Sequence, residues 1–197
     1  LFGIPQTLYY HPEIDTGVHV MMVVDRARTL SDDIDILYAA LTHDLGKALT
    51  PKHKWPSHRG HESAGVPLVR KMSERLRVPL ETRRLAEIMS DQHLNMHRLD
   101  ELRPKTILKI LQKLDAFRKP ERVRKFALAC QADSQGRGGE FPSLPYPQVE
   151  DIQAYFKAAQ AVDAGSIARA QDNPRKIASA IERARIQAIQ AVREKGL

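Results

Sequence analysis

Apolar residues recur at three- and four-residue spacing along most of this chain, a pattern that predicts amphipathic helices. The first predicted helix begins near Asp15 and continues for about four turns. The segment 31–33, Ser-Asp-Asp, predicts an N-cap and an acidic first turn for a second helix. In that helix the recurring apolar positions, which predict one buried face, are Ile34, Leu37, Leu41 and Leu45. The same pattern places His43 and Asp44 in its last turn, before a terminating Gly46.

In the remainder of the chain, segments with the helical pattern alternate with segments that contain proline and glycine. Further helices are predicted at His61 to about Arg77, about Glu81 to His93, from Pro104 past Leu114, Pro120 to about Asp133, 148–161 and 174–194. Proline and glycine predict irregular segments at 48–60 and 134–148, and 163–170 reads as a short link. Because no stretch alternates as a strand does and no repeat is visible, the predicted fold class is all-α.

This pattern also suggests a division of the chain. Residues 1–14 are predicted to be an extended lead-in, 15–135 a helical core, and 136–197 an irregular loop with C-terminal helices packed on that core. The chain opens at Leu1 without an initiator Met, which favours a domain cut from a longer protein.

Composition narrows the class of protein. No apolar run is long enough to span a bilayer and no signal peptide is readable, so no membrane partner is expected. The single cysteine, Cys130, excludes an internal disulfide framework and favours a buried thiol in a reducing cytoplasm. The formal net charge of +7 favours anionic partners such as nucleic acid.

Histidines and carboxylates at predicted helix ends are the candidate chemistry. They are His19, the adjacent pair His43 and Asp44, and then His61, His93 and Asp133. Imidazole and carboxylate together suit borderline divalent cations, and ligands at helix ends can converge at one mouth of a bundle. The sequence therefore favours a metal-dependent phosphohydrolase. By contrast, His11 and His53 are interpreted as solvent-facing, and His58 and His97 as lying outside the site.

Several stretches in order resemble a known family. They are Tyr10-His11-Pro12-Glu13-Ile14-Asp15-Thr16-Gly17-Val18-His19, His43-Asp44-Leu45-Gly46-Lys47, Gly60-His61-Glu62 and Ala132-Asp133-Ser134-Gln135-Gly136-Arg137. This order is similar to the HD phosphohydrolase superfamily and, more closely, to the C-terminal HD domain of bacterial multifunctional CCA-adding enzymes, which are tRNA nucleotidyltransferases. The resemblance covers essentially the whole chain.

That resemblance implies an HD-domain helical bundle with phosphatase, 2′-nucleotidase and 2′,3′-cyclic phosphodiesterase activities. It implies four metal ligands, which are His19, His43, Asp44 and Asp133. His61 and His93 would either complete a second metal site or contact phosphate and move protons, and both alternatives stay open. Ni²⁺, Mn²⁺, Co²⁺ and Mg²⁺ all remain candidates. The implied substrates are nucleotides and tRNA or RNA 3′ ends, and homodimerisation is left open.

The nucleotidyltransferase activity of that family requires an Asp-x-Asp motif on a strand. Asp33-Ile34-Asp35 matches this motif, but it begins a predicted helix after Ser31 instead of following a strand. We therefore interpret it as a helix cap and expect no nucleotide polymerisation.

Cationic side chains give two further hypotheses. Lys47 and Arg137 could hold a substrate phosphate, although Lys47 could equally complement a helix C-terminus. Lys105, Lys109 and Lys113 fall four residues apart and form one basic stripe, typical of a solvated helix face or of a tRNA backbone contact. The alternative function is therefore a tRNA-binding or dimerisation module whose metal site is structural or regulatory.

Overall fold

The computed structural model describes residues 1–196. These fold into nine α-helices: α1 (Thr16–Leu30), α2 (Ile34–Thr42), α3 (His61–Arg75), α4 (Leu80–His97), α5 (Pro104–Lys113), α6 (Glu121–Gln135), α7 (Gln148–Gln160), α8 (Ala164–Arg169) and α9 (Pro174–Glu194). Short 3₁₀ helices lie at Leu45–Leu49, Lys52–Lys54, Leu99–Glu101 and Phe141–Ser143. Within 1–196 no β-strand forms, and pairing is limited to an isolated bridge between Pro5 and Asp15. The all-α prediction is confirmed.

Side-chain caps explain where several helices begin. The carboxylate of Asp15 accepts a hydrogen bond of 3.0 Å from the backbone N–H of Val18, in the first turn of α1. Asp33 caps α2 in the same way, accepting 2.9 Å from the N–H of Asp35. Each bond satisfies a donor that has no partner inside its helix. The interpretation of Asp33-Ile34-Asp35 as a helix start is therefore confirmed, with Asp33 as the cap and Asp35 in the acidic first turn.

The predicted buried face of α2, which includes Ile34 and Leu41, is wrong. Ile34 is 65% exposed and Leu41 is 37% exposed, whereas Ile36, Ala39 and Ala40 are buried. Alanine at two successive positions leaves little side-chain volume there, which permits close packing against the neighbouring helices α1 and α4. The longer apolar residues are displaced to the surface.

Several helix boundaries also differ from the prediction. α2 ends at Thr42, so His43 and Asp44 follow the helix instead of lying in its last turn. α4 continues to His97 rather than ending at His93, and α6 continues to Gln135 rather than ending at Asp133. The predicted link at 163–170 contains a helix of its own, α8. Boundaries of this kind depend on tertiary packing, which propensity does not report.

The chain divides into two compact units. The first comprises residues 1–98 and 124–146, and in it α1 packs on α2, α2 on α4 and α3 on α4. The second comprises residues 99–123 and 147–197, and in its described part α7 and α5 both pack on α9. In the second unit the guanidinium of Arg185 lies 3.5 Å from the ring centre of Phe117, a cation–π contact.

A close approach of backbone segments in the first unit fixes one side of the candidate site. A Cβ at Gly46 would collide with the carbonyl oxygen of His61 and would lie 2.7 Å from the backbone nitrogen of Gly65. Only glycine allows the 3₁₀ helix after Asp44 to pack this closely on α3. The contact holds His61 beside Asp44. No helix among residues 1–196 has the length and apolarity that a membrane span requires.

Candidate metal centre

The predicted histidines and aspartates converge inside the first unit. His19 comes from α1, His43 follows the last residue of α2, Asp44 precedes the next 3₁₀ helix, His61 begins α3, His93 lies on α4 and Asp133 lies near the end of α6. Each of these side chains is buried, with 7% of His61 exposed and less of the others. Groups this polar are buried together only when they are paired or when they hold a cation.

The histidine rings are oriented by their Nδ1 atoms. Three rings donate Nδ1–H to backbone carbonyl oxygens: His43 to Ala40 at 2.7 Å, His61 to His58 at 2.8 Å and His93 to Met89 at 3.1 Å. In the fourth ring, Nδ1 of His19 lies 2.9 Å from Oε1 of Glu13, outside good hydrogen-bond alignment. With Nδ1 occupied in this way, Nε2 of each ring is the atom presented to the centre of the cluster.

Two neighbouring groups of ligand atoms result. In the first group, Oδ1 of Asp133 lies 3.1 Å from Nε2 of His19 and 3.5 Å from Nε2 of His43. Oδ2 of Asp44 lies 3.3 Å from Nε2 of the same His43. The ligand atoms of His19, His43 and Asp133 all lie within 4.8 Å of one another.

The second group shares Asp44. Its Oδ1 lies 3.2 Å from Nε2 of His61 and 3.9 Å from Nε2 of His93, and the two imidazole nitrogens are 3.3 Å apart. These three ligand atoms also lie within 4.8 Å of one another. The two oxygens of Asp44 therefore face different groups of histidines.

The electrostatics of the cluster favour a cation. Burial disfavours a charged imidazole, but the adjacent carboxylates of Asp44 and Asp133 raise the pKa of His43 to about 10. Burial also opposes ionisation of the two carboxyls. The charges of Lys47 and His43 nevertheless hold the pKa of Asp44 well below its usual range, and those of His43 and His97 do the same for Asp133.

The residues present fit a divalent metal ion. Nε2 of His43 and Oδ1 of Asp44 are fully buried, and no hydrogen-bond partner for either exists among residues 1–196. Unpartnered buried polar atoms are rare in folded proteins. Nε2 of His43 belongs to the first group of nitrogen and oxygen ligand atoms, and Oδ1 of Asp44 belongs to the second. Such a mixed set suits first-row divalent cations.

Lys47 is buried rather than solvent-facing at a helix end. Its Nζ lies 2.7 Å from Oδ2 of Asp44 and also donates to Oε1 of Gln6. Lys47, His11 and His61 line a cavity of about 320 Å³ beside the cluster. The ammonium group thus contacts a candidate ligand and borders the space that a substrate would enter.

Arg137 and three lysines of α5 are the other predicted cations. The guanidinium of Arg137 lies over the ring of Phe141, 5.3 Å from its centre, within the first unit. Lys105, Lys109 and Lys113 are exposed on α5, which belongs to the second unit.

Several residues beside the centre were not expected from the sequence. His97, interpreted as lying outside the site, contacts Asp133 through Nε2 at 2.7 Å and the hydroxyl of Tyr146 through Nδ1 at 2.9 Å. Glu13 contacts His11 and His19, and its Oε2 accepts from the backbone N–H of Gly138 at 3.0 Å. The four-residue spacing of His93 and His97 could have revealed His97, because residues i and i+4 share a helix face. No local pattern indicates Glu13.

The comparisons with known proteins agree with this geometry. The family model described as HD domain matches residues 16–119. The chain is 48% identical to the multifunctional CCA protein of Nitrosococcus oceani over 189 residues, which is 96% of this chain and 46% of that protein. It is 50% identical to the multifunctional CCA protein of Nitrosospira multiformis over 169 residues, 86% of this chain and 41% of that protein.

The chain thus spans less than half the length of these curated relatives. No solved structure matches it. The family match covers more than half of the chain. Five of the six clustered residues lie inside 16–119, and Asp133 lies outside it. The chain belongs to the HD domain family.

Proposed function

We propose that this HD domain is a metal-dependent phosphohydrolase that acts on phosphomonoesters and 2′,3′-cyclic phosphodiesters of nucleotides and RNA 3′ ends. The observation that carries the proposal is the convergence of four buried imidazole Nε2 atoms on the carboxylates of Asp44 and Asp133. The similarity to multifunctional CCA proteins supports tRNA as the parent substrate.

His19, His43, Asp44 and Asp133 would hold the first metal ion, and Asp44 with His61 and His93 a second. When bound, a divalent cation lowers the pKa of coordinated water and offsets the negative charge that develops on a phosphoryl group. Ni²⁺, Mn²⁺, Co²⁺ and Mg²⁺ are all candidates for these sites, since the identity of the ligands alone does not decide which metal is bound in the cell.

The protein groups supply orientation and charge. The Nδ1–H bonds to backbone carbonyl oxygens fix His43, His61 and His93, so these rings need not reorganise when a substrate binds. Lys47 keeps a positive charge at the wall of the cavity, where a substrate phosphate would enter. The cavity volume of about 320 Å³ lies at the lower end of the range typical of small-molecule sites.

Metal analysis and hydrolysis assays test this proposal. The purified protein is analysed for its metal content, stripped with a chelator and assayed with each metal restored, using 2′-AMP, 2′,3′-cyclic AMP and p-nitrophenyl phosphate. We expect metal-stimulated phosphate release that His43→Ala and Asp44→Ala abolish, while His53→Ala, a change at an exposed histidine, retains it. Full activity in the His43→Ala and Asp44→Ala variants would contradict the proposal.

A second candidate function rests on the basic stripe of α5. Lys105, Lys109 and Lys113 are exposed at four-residue spacing on one face of α5, where cationic side chains could contact the phosphates of an RNA backbone. Salt-sensitive tRNA binding that survives His43→Ala and Asp44→Ala, with no hydrolysis under any divalent cation, would favour a tRNA-binding or dimerisation module instead.

A further inference from the structure

A second and larger cavity adjoins the one beside the candidate metal centre. Its volume is about 480 Å³, against about 320 Å³ for the smaller cavity, and both lie in the first unit. The two cavities share a wall formed by Ser57, Arg59, Gly60 and His61. Because Nε2 of His61 lies 3.2 Å from Oδ1 of Asp44, a molecule that spans both cavities would pass directly beside the centre.

The wall of the larger cavity is positively charged. Lys54 and Arg59 line it and are exposed, whereas no aspartate or glutamate is among its lining residues. Within the described residues, neither cation has an ion-pair or side-chain hydrogen-bond partner. Two unpaired cations on a concave wall attract an anion. The larger cavity therefore favours an anionic occupant.

The other lining residues narrow the class of that anion. Leu49 is 57% exposed and lies with Pro51 on the wall, which gives it an apolar surface. Thr50 and Ser57 add hydroxyl groups to the same wall. A nucleotide of a single-stranded chain needs cations for its phosphate, hydrogen-bonding groups for its sugar and an apolar surface for its base. The volume of about 480 Å³ is within the range typical of sites for molecules of this size.

We propose that the larger cavity binds the nucleotide that precedes the terminal one, so that this domain prefers the end of an RNA chain to a free nucleotide. The terminal nucleotide lies in the smaller cavity beside Lys47, and the chain continues past Gly60 into the larger one. Arg59, on the shared wall, contacts the phosphate that links the two nucleotides, and Lys54 contacts the next phosphate in the 5′ direction. This inference rests on the proposed phosphohydrolase function and adds a second nucleotide subsite to it.

Two substrates that differ by one nucleotide provide the first test. Adenosine 5′-phosphate 2′,3′-cyclic phosphate is compared with the dinucleotide that carries one further 5′-phosphorylated adenosine, using the metal that gives the highest activity. We expect the kcat/KM of the dinucleotide to be higher by at least roughly fivefold, a modest factor because exposed cations bind an anion more weakly than buried ones. Equal values, or a preference for the mononucleotide, would overturn the inference.

Lys52 and Lys54 form a matched pair for substitution. They are the first and last residues of one 3₁₀ helix and are both exposed, but Nζ of Lys52 lies 5.9 Å from the ring centre of Trp55 and outside the cavity wall. We expect Lys54→Ala to lower the preference for the dinucleotide by roughly threefold or more, and Lys54→Arg to retain it. Lys52→Ala should leave it unchanged. An equal fall in Lys52→Ala and Lys54→Ala would show only an effect of protein charge and would overturn the assignment.

The salt dependence of KM gives an independent measurement. Binding of a phosphate by a cation releases counterions, so KM should rise with salt more steeply for the dinucleotide than for the mononucleotide. Lys54→Ala should reduce the slope of log KM against log salt for the dinucleotide by up to about 0.7, the value for one phosphate of a single strand. An unchanged slope would contradict a contact between Lys54 and a phosphate.

Hydrolysis of the mononucleotide separates this inference from the proposed function. If the mononucleotide is hydrolysed and the dinucleotide is not preferred, only the present inference fails. If neither of them nor p-nitrophenyl phosphate is hydrolysed with any of the four metals, the proposed function fails and this inference fails with it.

Discussion

Nε2 of His97 lies 2.7 Å from Oδ2 of Asp133, on the side of the carboxylate away from the candidate metal ligands. The other oxygen of Asp133 faces His19 at 3.1 Å. Since a carboxylate accepts, Nε2 of His97 is the donor, and its Nδ1 lies 2.9 Å from the hydroxyl of Tyr146. A chain from Tyr146 through His97 thus fixes which oxygen of Asp133 points into the centre.

Removal of this support should weaken metal binding. His97→Ala frees Oδ2 of Asp133 from its donor, and we expect the metal dissociation constant to rise by roughly 10- to 100-fold, the usual effect of losing such an outer hydrogen bond. Tyr146→Phe removes only the outer link, so its effect should be smaller. Competition titration with a chromophoric chelator measures both constants, and unchanged affinity in His97→Ala would contradict the assignment.

Glu13 should act on the other side of the centre. Its Oε1 lies 2.9 Å from Nδ1 of His19, and its Oε2 accepts from the N–H of Gly138. Burial opposes ionisation of this carboxyl, but the hydrogen bonds from His11 and Gly138 and the close contact with His19 hold its pKa well below the usual range. Glu13→Gln removes the negative charge that makes His19 a better ligand, so metal affinity should fall roughly 10- to 100-fold.

The matched control for this change is Glu140→Gln, at an exposed glutamate of the same unit. It makes the same change of charge and should leave the metal dissociation constant unchanged. An equal loss of affinity in both variants would show a general effect of protein charge and would remove Glu13 from the centre.

The fold class was predictable because its signals are local. Asp15 and Asp33 cap helices through hydrogen bonds within their own turns, and Pro104 and Pro174 stand at helix starts as the sequence predicts. The buried face of α2 was not predictable in this way. Ile34 and Leu41 are more apolar than the alanines that replace them in the core, and the choice is made by neighbouring helices.

The candidate site was likewise predictable only in part. The histidines and aspartates that the motifs indicated are brought together by the structure, but their supporting residues were missed. Glu13 lies more than 100 residues from its partner Gly138, and His58 bonds Pro5 across 53 positions. Contacts formed by tertiary packing over such separations leave no periodic signal in one sequence.

The glycines between the 3₁₀ helix and α3 give a stability prediction. Gly46→Ala places a Cβ against the backbone of His61 and Gly65, which cannot move aside cheaply. We expect a loss of stability of at least 1–3 kcal/mol, typical of overpacking, measured by urea denaturation. At Gly65 the closest atom is the side-chain oxygen of Ser90, so Gly65→Ala should be partly rescued by Ser90→Ala. No second-site truncation of this kind is available for Gly46.

The pH dependence of the metal-stripped protein should reflect His11. Burial lowers the pKa of His11 to about 4, against the opposing hydrogen bond to Glu13, while nearby Lys47 lowers it further. The unfolded chain, with a pKa of 6.5, therefore binds more protons than the folded chain between pH 6.5 and about 4. The contribution of His11 is present above pH 6.5 and is lost as the pH falls toward 4.

Urea denaturation in the presence of a chelator at pH 7, 6, 5 and 4.5 measures this dependence. The wild type should lose stability steadily over this range, with at most about 3 kcal/mol from His11, since one pKa unit corresponds to about 1.4 kcal/mol. His93, whose pKa burial lowers to about 3, adds a loss of the same sign. His11→Asn should therefore flatten the dependence without abolishing it, whereas His53→Asn, at an exposed histidine, should leave the slope unchanged. A slope in His11→Asn equal to that of the wild type would show that His11 is protonated as readily in the folded chain as in the unfolded one.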